Sequence, residues 1–313
     1  MAGFAKNKVI KDTFYYIGQP SVPIVQVPDI PVSEVDCCSA FVLKVLADNT
    51  SEELNNDKSG FLWWFNDLIT TAELTLQRFT NGAWVDVASM DANTDYGTPY
   101  DYEFYVNNQG ESFVGYQLEW ALVLAEEGIG QYRVKCTATD FSAVENLLYS
   151  PIYCLKTYTP ELANGTIRVE YYLNGTLGVN EDDMKTRDYG TLNWYNSFRL
   201  GGFFGYPTST YEEERVRYNN GARLFVTDDQ EPDFTMKLKP IPFFIHEYMR
   251  TDVMMADDIY ITDYNARNTN NYVQKNVYKN SGYQPQWKPL QSKLAAVEVK
   301  FKQKYNNHKK LMY

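Results

Sequence analysis

The segment "AELTLQRFTNGAWVDVA", residues 72–88, decides the fold class, because it carries the clearest strand–turn–strand signal in the chain. Apolar and polar residues alternate on both sides of Asn81-Gly82. This dipeptide accepts the positive φ angles of a two-residue hairpin turn. The segment therefore predicts two antiparallel strands. A second Asn-Gly pair in "TIRVEYYLNGTLGV", residues 166–179, predicts another hairpin.

Strand patterns of this kind recur along the 313 residues. They predict a mainly β protein with two antiparallel β-sandwich domains, immunoglobulin-like or jelly-roll-like, together with one or two short helices and extended terminal arms. The predicted divisions are an N-terminal arm over 1–35, a first sandwich over 36–157, a second sandwich over 158–299 and a basic C-terminal tail over 300–313.

Two local patterns refine the first predicted domain. Apolar residues at helical spacing over 118–125 predict a short helix that Gly128 ends. The following "EEGIGQYRVKC", residues 126–136, resembles the tyrosine corner of immunoglobulin-like sandwiches, with Tyr132 in the corner position. The core tryptophan of such a sandwich would be Trp63 or Trp64.

The second predicted domain is less regular. Residues 192–211 are rich in glycine and aromatic side chains, which predicts a long projecting loop or an irregular interface element. "RLFVTDDQEPDFTMKLKPIPFF", residues 223–244, predicts two strands about an acidic turn. The remaining predicted elements are a short helix over 245–258, a strand over 259–264 and a last strand that alternates from Ala295 to Phe301.

The N-terminal segment is predicted to be an arm rather than part of a core. "IGQPSVPIVQVPDIPVSE", residues 17–34, holds Pro20, Pro23, Pro28 and Pro31. Proline favours extended backbone and removes a donor from strand pairing. This apolar segment is therefore expected to lie along its own domain or against a neighbour.

Charge is unevenly distributed over the chain, whose net charge is −11. From residue 288 onward seven lysines oppose one acid, Glu298, so this end carries +6 and the remaining body −17. Such a body is unsuited to general nucleic-acid binding, which needs a basic surface. The basic end is either solvated or docks on an acidic neighbour, including another copy of the chain. In the second case, deleting residues 300–313 is expected to leave folded but unassembled protein.

Targeting signals and metal-binding cysteine patterns are missing from the sequence. The first 20 residues lack the apolar core of a signal peptide, and no run approaches the roughly 18 apolar residues of a membrane span. Folding in a cytoplasm is therefore expected. The four cysteines lack the paired spacing of a zinc site and are expected to be reduced.

Few residues suit catalysis. His246 and His308 are the two histidines of the chain, and GxSxG, Walker, HExxH and GxGxxG motifs are absent. Acidic doublets and one triplet could supply the acid or nucleophile of a glycoside hydrolase, although solvated turns are their usual place. These are Asp182-Asp183, Asp228-Asp229, Asp257-Asp258 and Glu212-Glu213-Glu214. No catalytic residue and no cofactor is predicted.

One segment resembles a calcium loop. "DANTDYGTPYDYE", residues 91–103, alternates Asp91, Asn93 and Asp95, as an EF-hand does. The EF-hand needs its glycine at the sixth position and its bidentate glutamate at the twelfth. Gly97 and Glu103 each come one residue late, and both flanks are predicted strands rather than helices. A connecting loop without metal is therefore the prediction.

Several segments together resemble virion proteins of the tail or collar region of tailed phages that infect Bacteroidetes, including the crAss-like group. The resemblance is carried by "LTLQRFTNGAWVDVA" (74–88), "YGTPYDYEF" (96–104), "VGYQLEWALVLAEEGIGQYRVKC" (114–136), "FTMKLKPIP" (234–242) and "ADDIYITDYNARN" (256–268). It implies a non-enzymatic structural protein of the virion. Many copies of it would form a ring or sleeve through contacts with one another and with other tail or portal proteins.

Under this hypothesis three segments form the contacts between subunits: the proline-rich arm, the glycine- and aromatic-rich segment and the basic end. Heterologous contacts between identical subunits close into rings when the rotation allows. The predicted interface residues are Pro20, Pro23, Pro28, Trp194, Tyr195, Phe203, Phe204, Lys302, Lys304, Lys309 and Lys310.

Two other functions remain open at the level of sequence. A glycan-binding module for attachment to a host surface would use exposed aromatic platforms, for which Trp194 and Tyr195 are candidates. A glycoside hydrolase would use one of the acidic pairs.

Overall fold

The computed structural model describes residues 43–48, 56–65, 69–90, 95–106, 112–140, 145–173, 176–177, 187–188, 194–205, 208–217, 223–262, 274–287, 294–304 and 307–310. Strands dominate these residues, which confirms the prediction of a mainly β protein. Within them no helix has the length and apolarity needed to cross a bilayer.

The first half of the chain contains nine strands and one helix among its described residues. They are β1 (Leu43–Ala47), β2 (Lys58–Phe65), β3 (Ile69–Thr80), β4 (Ala83–Ser89), β5 (Gly97–Val106), β6 (Ser112–Glu119), α1 (Trp120–Glu127), β7 (Gly130–Asp140), β8 (Glu145–Tyr149) and β9 (Tyr153–Thr157).

The second half begins with a short helix and continues with longer strands. Its elements are α2 (Pro160–Asn164), β10 (Thr166–Leu173), β11 (Thr176–Leu177), β12 (Arg187–Asp188), β13 (Trp194–Phe204), β14 (Thr208–Arg217), β15 (Arg223–Pro242), α3 (Phe243–Thr251), a 3-10 helix (Val253–Met255), β16 (Asp258–Thr262), β17 (Gln274–Lys279), β18 (Leu294–Gln303) and β19 (Asn307–Lys310).

Strands β3 and β4 form the predicted hairpin. Asn81 has a φ angle of 54° and Gly82 one of 82°, as a two-residue turn of this kind requires. Phe79 pairs with Trp84 directly beside the turn. The local prediction from the Asn-Gly dipeptide is therefore confirmed.

The first half forms two sheets. One has the order β1-β9-β7-β3-β4, with β8 beside β7, and its β1–β9 pair is parallel. The other is the antiparallel sheet β2-β6-β5. Phe61 of β2 packs edge-on against Tyr153 of β9, with ring centroids 5.7 Å apart, so side chains of the two sheets meet in the core.

Six strands of the second half close into an antiparallel barrel, whereas a second sandwich was predicted. Strands β10, β13, β15, β18, β17 and β16 pair in that order, and β16 pairs back with β10. The barrel joins the first half through the pairing of Lys44 in β1 with Arg199 in β13. One continuous sheet thus runs across the predicted division near residue 158.

Three sequence predictions for the second half are wrong. Strand β10 does not form a hairpin at the second Asn-Gly pair, because β13 and β16 are its two neighbours. Residues 194–204 form the barrel strand β13 rather than a projecting loop. Residues 223–242 form the single strand β15, whose acidic centre pairs with β14 on one side and β19 on the other.

Other local predictions are confirmed. Helix α1 is present, although Leu118 belongs to β6, and Gly128 ends the helix with a φ of 82°. Helix α3 begins two residues before its predicted start and ends at Thr251, seven residues before its predicted end, and a 3-10 helix follows it. Strand β16 lies within two residues of its predicted position. In β18, alternate residues from Ala295 to Phe301 are buried, as predicted.

The tyrosine corner is also confirmed in its defining contact. The buried Tyr132 hydroxyl donates a hydrogen bond of 2.8 Å to the carbonyl oxygen of Gly128. The tryptophan that packs beside it is Trp120, whose ring lies 6.1 Å from that of Tyr132. The side chains of Trp63 and Trp64 lie outside the described part of the chain.

The cysteines do not share one state. Cys136 is buried and is not in a disulfide, whereas Cys154 is disulfide-bonded. The expectation that all four cysteines are reduced is therefore wrong at Cys154.

Candidate functional site

A buried ion network lies where the barrel meets the first half of the chain. The Asp57 carboxylate accepts hydrogen bonds from Arg168 Nε at 2.5 Å and from Arg199 Nε at 2.7 Å. The main-chain N–H of Leu46 in β1 donates to it at 3.0 Å. None of the three charged side chains is more than 1% exposed. Asp57 precedes β2, and the two arginines face each other across β10 and β13, so the network ties four strands together.

Glu170 and Tyr195 extend this network toward the surface. Arg168 Nη1 lies 2.5 Å from Glu170 Oε2, and Arg168 Nη2 donates to the Tyr195 hydroxyl at 3.3 Å. That hydroxyl in turn donates to Glu170 Oε1 at 2.8 Å. Burial, partly offset by the charge of Arg168, raises the pKa of Tyr195 well above its usual value. The hydroxyl therefore stays protonated.

The charged groups of the network keep one another ionised. Burial alone would raise the pKa of Asp57, but the charges of Arg199 and Arg168 and the hydrogen bonds hold it below its usual value. Burial would likewise lower the pKa of Arg168, and the Asp57 carboxylate outweighs this effect. A carboxylate held ionised by two guanidinium groups is not a proton donor at neutral pH. The network is a structural clamp between the two halves.

A second arrangement lies on the outward face of the sheet formed by β8, β7, β3 and β4. The Arg133 guanidinium stands 4.3 Å from the ring centroid of Trp84 and 4.1 Å from that of Tyr149. Arg133 Nε donates to Gln77 Oε1 at 2.7 Å, which fixes the guanidinium between the two rings. All three of Trp84, Arg133 and Tyr149 are partly exposed. These three residues are called the Arg133 stack below.

An ion pair borders the Arg133 stack. Asp86 accepts from Lys135 Nζ at 2.7 Å and from Gln77 Nε2 at 2.6 Å. Partial burial would raise the pKa of Asp86, but the hydrogen bonds and the charge of Lys135 lower it overall. Gln77 therefore links the ion pair to Arg133.

The predicted aromatic interface residues are divided between core and surface. Trp194 is buried, as is Phe204, which stacks on Phe234 with ring centroids 5.1 Å apart. Tyr195 belongs to the Asp57 network. Phe203 is 40% exposed and is the member of this group that presents a large apolar surface to solvent. Pro20, Pro23 and Pro28 lie outside the described residues.

Two of the predicted interface lysines have carboxylate partners within the chain. Lys302 pairs with Glu231, and Lys304 pairs with Asp258. Lys309 and Lys310 belong to β19, whose backbone pairs with β15 opposite Asp228 and Thr227. The end that was predicted as a basic tail is thus built into the sheet of its own subunit as far as residue 310.

The residues considered for catalysis do not come together in the described part of the chain. His246 uses both ring nitrogens, with Tyr283 Oη at 2.8 Å and the Ala295 carbonyl oxygen at 2.9 Å. Asp257 is exposed and Asp258 is paired with Lys304. The pair Asp182-Asp183 and the side chains of the remaining acidic groups, Asp228-Asp229 and Glu212-Glu213-Glu214, lie outside what the structure describes, as does that of His308.

The possible calcium loop is described only from residue 95 onward. Asp95 and Tyr96 form a turn and β5 begins at Gly97, so a strand rather than a helix follows the loop. Among the described residues no group of three or more His, Cys, Asp or Glu side chains is placed to hold a metal ion.

Sequence reasoning missed the Asp57 network, although one signal for it was present. Arg168 and Glu170 alternate within "TIRVEYYL", where Ile167, Val169 and Tyr171 supply an apolar face. Charged residues two apart on a strand that is buried on both faces need partners from other strands.

Neither a protein-family model nor a curated protein sequence matches this chain.

Proposed function

We propose that the chain is a non-enzymatic structural protein that assembles in multiple copies into a ring or sleeve in the tail or collar region of a phage virion. The resemblance of its segments to such proteins supports the virion context. The observation that carries assembly is the Arg133 stack, because tryptophan, tyrosine and arginine are the residues that dominate binding energy at protein interfaces. Here they are partly exposed, and the guanidinium is held between the two rings by its hydrogen bond to Gln77.

A second copy of the chain is the occupant that fits this face. The stack presents a guanidinium group between two aromatic rings, and the chain carries a net charge of −11. Another subunit therefore offers acidic surface to Arg133, while Trp84 and Tyr149 supply apolar area that becomes buried. Rigid side chains also lose little conformational entropy on binding.

The ionisable groups in the interior support a structural role. Asp57, Glu170 and His246 are each bound to residues from other parts of the chain, so they contribute to the fold.

For the first half we further propose an immunoglobulin-like sandwich, because it combines a tyrosine corner at Tyr132 with two sheets that pack together through Phe61.

The molar mass of the purified chain in solution tests the proposal. Light scattering over a range of concentrations is expected to give multiples of the 36.2 kDa monomer. Arg133→Ala is expected to shift the association midpoint at least tenfold, since an interface hot spot contributes about 2 kcal/mol or more. Lys237→Ala is the matched control, because Lys237 is an exposed strand cation paired with Glu298 on the barrel.

The outcomes separate the proposal from its alternatives. A wild-type chain that stays monomeric at every concentration and salt would contradict self-assembly. Equal effects of Arg133→Ala and Lys237→Ala would show that charge in general, and not the stack, drives association.

The basic end needs a truncation different from the one that the sequence suggested. Residues 300–303 belong to β18, and Phe301 is fully buried in the core, so deleting residues 300–313 removes part of the barrel. A chain ending at Lys304 keeps β18 and loses only β19 and the residues around it. This shorter deletion is expected to fold, and the mass of the folded protein shows whether the end takes part in assembly.

Glycan binding remains a second candidate on a different pair of residues. Phe243 and Trp287 are 57% and 38% exposed, with ring centroids 5.9 Å apart, and an aromatic pair of this kind suits stacking on a sugar ring. Trp194, by contrast, is buried. A glycan array with the intact chain and with Trp287→Ala tests this candidate, and signals that survive the substitution would exclude this platform.

A further inference from the structure

Strand β15 continues beyond the barrel and takes part in a three-stranded arrangement there. It pairs with β18 from Asp233 to Pro242, whereas from Arg223 to Asp233 it pairs with β14. Strand β19 pairs with β15 over Thr227–Gln230. The register of β15 against β14 runs without a shift from Asp233 to Thr227. Residues of the three strands can therefore be assigned to one face of the sheet or the other.

One level of this sheet carries two carboxylate residues and a histidine, where a level means residues directly opposite one another on neighbouring strands. Glu212 of β14 is directly opposite Asp229 of β15, and Asp229 is directly opposite His308 of β19. Directly opposite residues are on the same face of a sheet, with Cβ atoms about 4.5–5.5 Å apart. The three residues therefore share one face, at neighbouring positions on three strands.

This face is the outer face of the barrel sheet. In the part of β15 that belongs to the barrel, Phe234, Met236 and Leu238 are buried, and the residues between them are not. Because residues alternate between the two faces along a strand, Asp229 belongs to the row that faces outward. The next residue of this row, Glu231, has a side chain that is 30% exposed. An ion in solution can therefore reach this face.

The two faces of the sheet differ in the residue that β19 contributes. On the opposite face Glu213 is directly opposite Asp228, and Lys309 is opposite Asp228 on the other side. Like charges directly opposite one another destabilise a sheet, and Lys309 brings a positive charge to that level. On the outer face the corresponding residue is His308. A histidine carries no fixed positive charge at neutral pH, and in its neutral form it is the commonest metal ligand. A bound cation would offset the repulsion between the two carboxylates there.

The neighbouring levels of the outer face do not repeat this combination. In one direction Glu214 is opposite Thr227, and Lys310 is at the same level on β19. In the other direction the carboxylate of Glu231 is paired with Lys302. A lysine thus accompanies the carboxylate on either side, and the histidine stands at the level between them.

We propose that the level of Glu212, Asp229 and His308 is a site for a divalent transition-metal ion. Carboxylate oxygens and imidazole nitrogens are ordinary ligands of Zn²⁺, and three protein ligands leave a further position for water. The imidazole favours transition metals over Mg²⁺ and Ca²⁺, which prefer oxygen ligands. An ion at this level would hold β19 against β15 and β14. The site does not involve the Arg133 stack and does not depend on assembly.

Titration calorimetry with ZnCl₂ tests the site on the full chain, after EDTA has been used to strip bound metal and has been removed by dialysis. Zn²⁺ is expected to bind saturably, with one ion per chain at this site, and Mg²⁺ is expected to bind far more weakly. The midpoint of thermal unfolding is expected to rise with Zn²⁺ concentration, because an ion that binds only the folded chain stabilises it.

Substitutions locate the binding. Glu212→Gln, Asp229→Asn and His308→Ala are each expected to weaken Zn²⁺ binding at least roughly tenfold, since even residues that only orient a metal ligand contribute about 10–100-fold to affinity. Glu213→Gln is the matched control, because Glu213 is the neighbouring carboxylate residue on the opposite face, and it is expected to leave the affinity unchanged. A chain ending at Lys304 lacks β19 and is expected to bind as weakly as His308→Ala.

Two results would overturn the proposal. One is a lack of saturable Zn²⁺ binding to the wild-type chain. The other is an equal effect of His308→Ala and Glu213→Gln, which would show that acidic surface in general, and not this level, attracts the ion. Far-ultraviolet circular dichroism of each variant shows whether the strands still form, so that a loss of affinity in a folded variant reports on the site itself.

Discussion

Asp57→Asn is expected to be among the most damaging single substitutions in this chain. Asp57 is fully buried and accepts bonds from Arg168, Arg199 and the main chain of Leu46. Asparagine keeps the shape but removes the charge, so position 57 no longer neutralises the two buried guanidinium groups. Removing one partner of a buried ion pair costs about 3–5 kcal/mol. A loss of this size is a large part of the roughly 5–15 kcal/mol that holds an ordinary domain folded.

Urea unfolding measures this loss, and Asp86→Asn is the matched control. Like Asp57, Asp86 accepts hydrogen bonds from other side chains, here from a lysine and a glutamine, but its own side chain is 53% exposed. Exposed ion pairs contribute about 0–1 kcal/mol, so the control is expected to change the free energy of unfolding by no more than that. If Asp57→Asn costs as little as Asp86→Asn, the network does not clamp the two halves and the reasoning from burial is wrong.

The pH dependence of stability gives an independent check on Asp57. Its pKa in the folded chain is below the usual value near 3.9, so the unfolded chain binds more protons there as pH falls. The contribution of Asp57 is fully present above about pH 4 and is lost as pH falls toward the folded pKa. Below pH 4 the stability of the wild type should fall more steeply than that of Asp57→Asn, by up to about 1.4 kcal/mol per pH unit.

Four further substitutions test local features by their effect on the free energy of unfolding. Tyr132→Phe removes the corner hydrogen bond and should cost about 0.5–1.5 kcal/mol. Gly60→Ala should cost about 1–3 kcal/mol, because the added methyl carbon would lie 2.4 Å from Trp194 Cζ2; a neutral result would mean that β2 and β13 are not in close contact. Gly82→Ala should cost about 1–2 kcal/mol at a φ of 82°, whereas Gly165→Ala, at a φ of −80°, should be neutral or stabilising.

Features of the fold that depend on adjacent residues were predictable from the sequence. The turn at Asn81-Gly82 needs only the φ angles of two residues, and the alternation in β18 needs only one buried face. The tyrosine corner is also local, since its hydrogen bond spans four residues. In each case the residues that make the structure stand together in the sequence.

The closed barrel was not predictable in this way. At Gly202 a Cβ atom would lie 2.6 Å from the Lys237 carbonyl oxygen, so the glycine in β13 reflects close approach of β15 and not a loop. Strand β15 contains prolines and an acidic centre. In the sequence alone these residues indicate a turn, because the strands that pair with β15 are not known. Pairing between distant strands decides both elements, and no short window of sequence contains that pairing.

The Asp57 network could not be predicted from the sequence for the same reason. Asp57 is separated from Arg168 by 111 residues and from Arg199 by 142. The charges of Arg168 and Glu170 in an apolar strand show that partners are needed, but the sequence does not name them. Only the register of β10 against β13 places the two arginines opposite each other.

The structure changes where the free energy of assembly is expected to come from. Lys302 and Lys304 already have the carboxylate partners Glu231 and Asp258, so a contact with a neighbour through these lysines would exchange one ion pair for another. Exposed pairs contribute little, and an exchange contributes less. The rings and the guanidinium of the Arg133 stack are already in contact and would become more deeply buried if a second subunit covered them. Assembly driven by charge separation along the chain is therefore the weaker explanation, and burial of a preformed aromatic and cationic face is the stronger one.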